Sequence, residues 1–128
     1  MIGGGGALDR PGYFIAPTIV RDIKEGARLV DEEQYGPVLP VIQYSDLDDV
    51  IRRANDTVFG LGTSVWSTNI ERARKVAASL EAGSIWINKH LDSQVDVPFG
   101  GMKESGIGVE YGEEGLVEFT QLQVISVA

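Results

Sequence analysis

Between residues 38 and 88 the apolar pattern switches repeatedly between two periods, and this alternation narrows the possible folds most. Residues 38–44 (VLPVIQY) form an apolar, β-prone run interrupted by Pro40. Leu47, Val50, Ile51 and Ala54 then recur at i, i+3, i+4 and i+7, the spacing of one helical face. Ser45 stands ready to accept orphan amide hydrogen bonds. Asp46, Asp48 and Asp49 lie at the positive end of that helix's dipole, and Arg52 and Arg53 lie near the other. A second strand is expected over 61–66 (LGTSVW). Thr68 and Glu71 have capping-box spacing. They open a helix faced by Ile70, Ala73, Ala77 and Leu80, which Gly83 is placed to end. A third strand follows over 84–88 (SIWIN). Strand, helix, strand, helix, strand with short links implies an α/β fold, a βαβαβ core whose mainly parallel sheet is covered by helices.

The flanks are less regular. Residues 1–12 (MIGGGGALDRPG) combine four consecutive glycines with a Pro-Gly turn and read as a flexible opening segment. A phosphate-binding loop would follow a strand and open a helix, and nothing here does either. Residues 13–20 (YFIAPTIV) are strand-like, with Pro17 marking an edge or a bend. Residues 26–34 suit a short helix that Gly36-Pro37 ends. From 90 to 108 no period holds, and so long an irregular stretch in a compact domain is often functional. A helix weakened by Gly112 and Gly115 is expected over 109–119, and a closing strand over 121–127 (QLQVISV). The implied organisation is an opening segment 1–12, an α/β body 13–120 and a C-terminal strand 121–128.

Composition removes whole classes of function. With 11 Lys+Arg against 19 Asp+Glu, the net charge is −8, and the chain lacks the basic footprint of a nucleic-acid binder. Its apolar runs are strand-length, so no membrane span and no secretory leader is expected, and a cytoplasmic setting follows. There are no cysteines, hence no disulfide, no thiolate metal site and no cysteine nucleophile. His90 is the lone imidazole and cannot found a zinc site by itself. Gly106-x-Gly108 has Tyr111 where the dinucleotide fingerprint needs its third glycine. Residues 100–105 (GGMKES) lack the Gly-Lys-Ser/Thr order of a P-loop.

Two polar islands remain. In residues 32–37 (EEQYGP) a carboxylate can accept from sugar hydroxyls while the tyrosine ring packs on a flat heterocycle; the plainer alternative is a solvated acidic turn. In residues 98–106 (PFGGMKESG) paired glycines permit close backbone approach to another surface; the alternative is a tight loop between domains or subunits. On residue chemistry alone the plainer readings lead.

Taken together, however, the islands and their surroundings resemble the NAD(P)-dependent aldehyde dehydrogenase family. Residues 32–38 (EEQYGPV) are similar to its Glu-Glu-x-Phe-Gly-Pro-Val segment. Residues 12–18 (GYFIAPT), 54–61 (ANDTVFGL), 82–88 (AGSIWIN), 98–106 and 112–120 (GEEGLVEFT) match further family blocks in the family's order. The resemblance runs from 12 to 125. It implies the C-terminal portion of the family's catalytic domain, plus a C-terminal oligomerisation strand. In that family a cysteine thiolate attacks the aldehyde, hydride passes to NAD(P)+, and water hydrolyses the thioester to a carboxylic acid. The nucleotide-binding domain, the cysteine and the general-base glutamate belong to the portion preceding these motifs. The chain itself is therefore expected to hold no catalytic residue and to need that N-terminal portion as partner.

By position, the resemblance makes Glu33 the carboxylate that hydrogen-bonds the nicotinamide ribose. Tyr35 stands where the family usually has a phenylalanine beside the nicotinamide, and adds a hydroxyl. Phe99 falls near the aldehyde pocket and Asn88 ends the strand leading to it. His90 and Ser93 fall where entrance residues vary, and give this chain a more polar entrance. Residues 121–127 match a strand used at the family's subunit interfaces, which implies a homo-oligomer. The readings from other classes are a non-catalytic oligomerisation module and a small nucleotide-binding module.

Overall fold

The computed structural model describes residues 3–128, and divides them into two units that meet between Leu47 and Asp48. Positions 1 and 2 of the expected opening segment lie outside the described residues.

The first unit is one βαβ motif. Strand β1 (Thr18–Arg21) pairs in parallel with β2 (Val38–Val41), Thr18 opposite Val38 and Arg21 opposite Val41, with the one-turn helix α1 (Arg28–Asp31) between them. The helix is shorter than the 26–34 expected. Ala27 at its N-cap offers no side-chain acceptor, and Glu32 already has extended backbone angles. Pro40 is tolerated within β2, which among the described residues pairs with β1 alone. The glycine-rich lead-in departs from the expected flexible segment. It runs antiparallel to the chain entering β1, bridging Gly3 to Ile19 and Ala7 to Ile15. Thr18, 5% exposed, explains the arrangement: its hydroxyl accepts from the Gly5 amide at 2.9 Å and donates to the Ala16 carbonyl at 2.7 Å. Gly4 has φ +80°, and a Cβ there would stand 2.2 Å from the Pro17 carbonyl oxygen, so the approach requires glycine.

The second unit begins within α2 (Leu47–Asn55) and continues through β3 (Phe59–Gly60), β4 (Gly62–Val65), α3 (Ile70–Ala77) and β5 (Ser84–Ile87). Strands β6 (Phe99–Gly100), β7 (Met102–Lys103) and β8 (Val109–Glu110) and helix α4 (Gly112–Val117) complete it. Strands β4 and β5 form the parallel pair expected from sequence, Gly62 opposite Ser84, and the crossover helix α3 packs against both. The N-cap of α3 is Asn69 rather than Thr68: its side-chain oxygen accepts from the Arg72 amide at 2.9 Å, and asparagine is the stronger cap. The core is small, made by Ala73 at 1%, Trp86 at 7% and Ala82 at 9% exposure. Trp86 lies so close over Gly62 that a Cβ there would stand 2.8 Å from the indole ring.

The sheet differs from one continuous parallel array. Both four-residue pairs are parallel, but β3–β7 and β6–β8 are antiparallel two-residue ladders, too short to leave a period in the sequence. Residues 121–128 form no strand. Leu122, Val124, Ile125 and Val127 are 79–95% exposed, and no ladder forms because no described segment pairs with them.

Candidate functional site

Each unit carries one of the polar islands. In the first unit, residues 32–37 join α1 to β2. Arg28 donates to both Glu32 oxygens, at 2.8 and 2.9 Å, and these bonds raise the guanidinium's pKa above its ordinary value. The Gln34 amide donates to the Val38 carbonyl at 2.7 Å. Among the described residues no hydrogen bond or ion pair engages the Glu33 side chain, and Tyr35 is 95% exposed. The two adjacent glutamates, equivalent in composition, are thus separated by structure. Glu32 is held by an arginine, and Glu33 presents an uncommitted acceptor beside an open aromatic face.

In the second unit a cleft of about 310 Å³ opens over the end of β5. Trp86, Val97, Pro98 and Phe99 give it an apolar side; Ser84, Ser93 and Gln94 add neutral polar groups. The segment after β5 is strapped down. Asn88 and Leu91 both have positive φ, 56° and 53°, which turns the chain back on itself. The Trp86 indole N–H donates to the Asp92 carbonyl at 2.9 Å, and the Lys89 ammonium pairs with the Asp92 carboxylate. With its ammonium and carboxylate paired to each other, this rim suits a neutral polar ligand better than an ion.

The six expected site residues therefore separate. Ser93 and Phe99 line the cleft. Asn88 does not: its side-chain amide bonds the Ser67 backbone twice, accepting from the amide at 2.8 Å and donating to the carbonyl at 2.9 Å. His90 also stays out of the lining and packs edge-on against Trp86, ring centres 5.6 Å apart. Glu33 and Tyr35 belong to the other unit. Asp92, which sequence reasoning counted with the polar entrance residues, also lines the cleft; Trp86, Lys89 and Gln94 were missed, and the place of Trp86 in the strand that leads into the irregular stretch was the available signal. Away from the cleft, Asp49 is held below the usual carboxylate range, first by its hydrogen bond from Arg52.

Among the described residues no cluster of His, Asp or Glu is arranged to hold a metal ion, and no helix is long and apolar enough to cross a membrane.

Comparison with known proteins places these features in context. The model of the aldehyde dehydrogenase family matches residues 1–125. Mouse (Mus musculus) retinaldehyde dehydrogenase 3 is 41% identical over 124 residues, covering 97% of this chain and 24% of that protein. The crystal structure of Mycobacterium tuberculosis aldehyde dehydrogenase complexed with NAD+ superposes with a TM-score of 0.88 at 40% identity, covering 94% of this chain and 25% of that one. Staphylococcus aureus betaine aldehyde dehydrogenase in complex with NAD+ gives 0.86 at 37% identity, over 92% and 24%. The chain thus spans about a quarter of the length of each.

Proposed function

This chain belongs to the aldehyde dehydrogenase family, and from that premise we propose that it is the C-terminal portion of an enzyme oxidising an aldehyde to a carboxylic acid with NAD(P)+. The observation that carries the reading is the combination, within one family match, of an uncommitted carboxylate and an open ring at residues 33 and 35 with an apolar-walled cleft at Phe99.

The residues fit the cofactor's chemistry. Glu33, bonded to nothing else among the described residues, is suited to accept from the nicotinamide ribose hydroxyls. Tyr35 offers a flat face for the nicotinamide end. NAD(P)+ when bound supplies the hydride acceptor. Phe99 and Trp86 give the aldehyde's body an apolar wall, and Ser93 and Gln94 give polar substituents hydrogen-bonding partners. The thiol that attacks the carbonyl carbon comes from outside this chain, which has no cysteine. In this reading Asn88 and His90 act indirectly, by fixing the turn that carries Ser93. A cytoplasmic, homo-oligomeric protein is part of the same proposal.

Co-expression with the cysteine-bearing portion tests it. Aldehyde-dependent NADH or NADPH formation is the expected result, and its absence across an aldehyde panel refutes the reading. In the active assembly Glu33→Gln is expected to slow hydride transfer about 100-fold, because a misplacement of about 1 Å has that effect on a positioned reactant. Its melting temperature should stay unchanged, since no hydrogen bond or ion pair among the described residues is lost. Single-turnover kinetics equal to wild type would remove Glu33 from the role.

The oligomer is expected to form through residues 121–127. Leu122 and Val124 face one way in an extended chain and Ile125 and Val127 the other, so both faces want cover, and its unpaired backbone is a template for another strand. Light scattering should find the wild-type chain associated and Val124→Lys dissociated. A monomeric wild type, or a lysine variant that assembles equally well, places the interface elsewhere.

A further inference from the structure

Outside the cleft's lining, but on the chain segments that adjoin it, lies an ion pair between Lys103 and Glu81 that neither the cofactor nor the substrate reading uses. Lys103 in β7 has φ +56°, a conformation that side chains other than glycine and asparagine avoid. Its side chain is only 22% exposed, low for lysine, and its ammonium lies 2.8 Å from Glu81 Oε2 while also donating to the Asn55 carbonyl. Asn55 in turn binds the chain leading to Glu81. Its side-chain amide donates to the Ser79 carbonyl at 2.8 Å, and its side-chain oxygen accepts from the Glu81 amide at 2.9 Å. One ammonium therefore joins the end of α2, the segment after α3 and β7.

Two of the segments lining the cleft leave from this junction. Residues 83–86 begin two positions after Glu81, and residues 97–99 end four positions before Lys103. Between them the backbones touch: a Cβ on Gly83 would lie 1.6 Å from the Gly100 carbonyl oxygen. A shift of the β6–β7 segment must then be felt at Gly83, and the reverse. We propose that Lys103 is a positioning residue which, through Glu81 and the Asn55 carbonyl, holds the segment carrying Phe99 in register with the strand carrying Trp86. The left-handed turn at Lys103 is maintained by that tether. Its consequence for aldehyde binding, and only that consequence, rests on the aldehyde-oxidising reading above.

The test has two arms. In the first, hydrogen–deuterium exchange is followed on the chain with Lys103→Met, Lys103→Arg, Glu81→Gln and the Met/Gln double variant. Lys103→Met should speed exchange in peptides spanning 98–106 by about tenfold while α3 amides keep their rate, because the loss is local. Glu81→Gln should speed the same peptides by less, since the ammonium keeps the Asn55 carbonyl; the double variant should be no worse than Lys103→Met alone, and arginine should restore wild-type rates. Exchange that is unchanged, that accelerates equally in α3, or that arginine fails to restore overturns the proposal. In the second arm the assembled enzyme carries Lys103→Met. The aldehyde KM should rise about tenfold, with kcat and the NAD(P)+ KM within about twofold of wild type. An unchanged aldehyde KM in a variant whose exchange has sped up overturns the link to Phe99. A wild-type assembly that oxidises no aldehyde overturns the enzymatic reading instead, and the exchange arm alone then decides the tether.

Discussion

Assayed by itself, the chain is expected to form no NADH or NADPH from any aldehyde. The proposed aldehyde oxidation requires a nucleophile that adds to the carbonyl carbon and then leaves as a thiol. No residue here supplies sulfur of that kind, because cysteine is absent and methionine's thioether carries no proton to lose. Serine is no substitute: among the described residues no base is hydrogen-bonded to the hydroxyls of the cleft's Ser84 and Ser93, and His90, the lone imidazole, packs on Trp86. In a serine protease, removal of the nucleophile alone lowers kcat by about 10⁶. A loss of that order puts turnover below detection. Absorbance growth that depends on aldehyde, above a blank lacking it, would show that the chain carries a nucleophile of its own.

What the sequence made legible depended on how long each pattern ran. Helices α2 and α3 were readable because their apolar positions repeat over two turns or more, and β4 and β5 because each is a β-prone run bounded by polar or glycine residues. Strands β3, β6, β7 and β8 were not, since two residues cannot display alternation. Their positions are set instead by contacts between distant residues, such as the Ser105 hydroxyl accepting from the Gly60 amide at 2.8 Å. The glycine-rich lead-in shows the same limit. Composition marks it as unconstrained, and only the buried Thr18 hydroxyl, thirteen residues away from Gly5, explains its pairing.

The candidate site was legible to a similar depth. Family likeness singled out Glu33 over Glu32, but residue chemistry alone could not, because the difference between two adjacent glutamates lies in which one an arginine one turn earlier captures. It also placed Asn88 in the substrate pocket, where the strand's end suggests it. The side chain's two bonds to Ser67 make it a brace between β5 and the turn before α3. A polar side chain at a strand end has two possible partners, ligand or backbone, and nothing in one sequence chooses between them.

Trp86→Ala is expected to be the most destabilising substitution in the second unit, and Trp66→Ala supplies its control. The two indoles differ in surroundings far more than in chemistry. Trp86 is 7% exposed, rests on Gly62, meets His90 edge-on and closes the turn by donating to the Asp92 carbonyl. Trp66 is 66% exposed and donates only to the Ser64 hydroxyl, at 3.2 Å. Truncating a buried tryptophan costs about 3–5 kcal/mol, the sum of lost transfer energy and an unfilled cavity. Collapse cannot heal that cavity, because the backbone at Gly62 is paired with Ser84. A unit of this size has total stability of about 4–12 kcal/mol at the usual per-residue value, so the loss removes a large share of it. The exposed tryptophan should change stability by about 0.5 kcal/mol or less. Urea denaturation of the two variants, followed by far-ultraviolet circular dichroism so that loss of the indole does not remove the signal, compares them directly. A Trp86→Ala midpoint close to that of Trp66→Ala would mean that the β4–β5–α3 layer is held by something other than this ring.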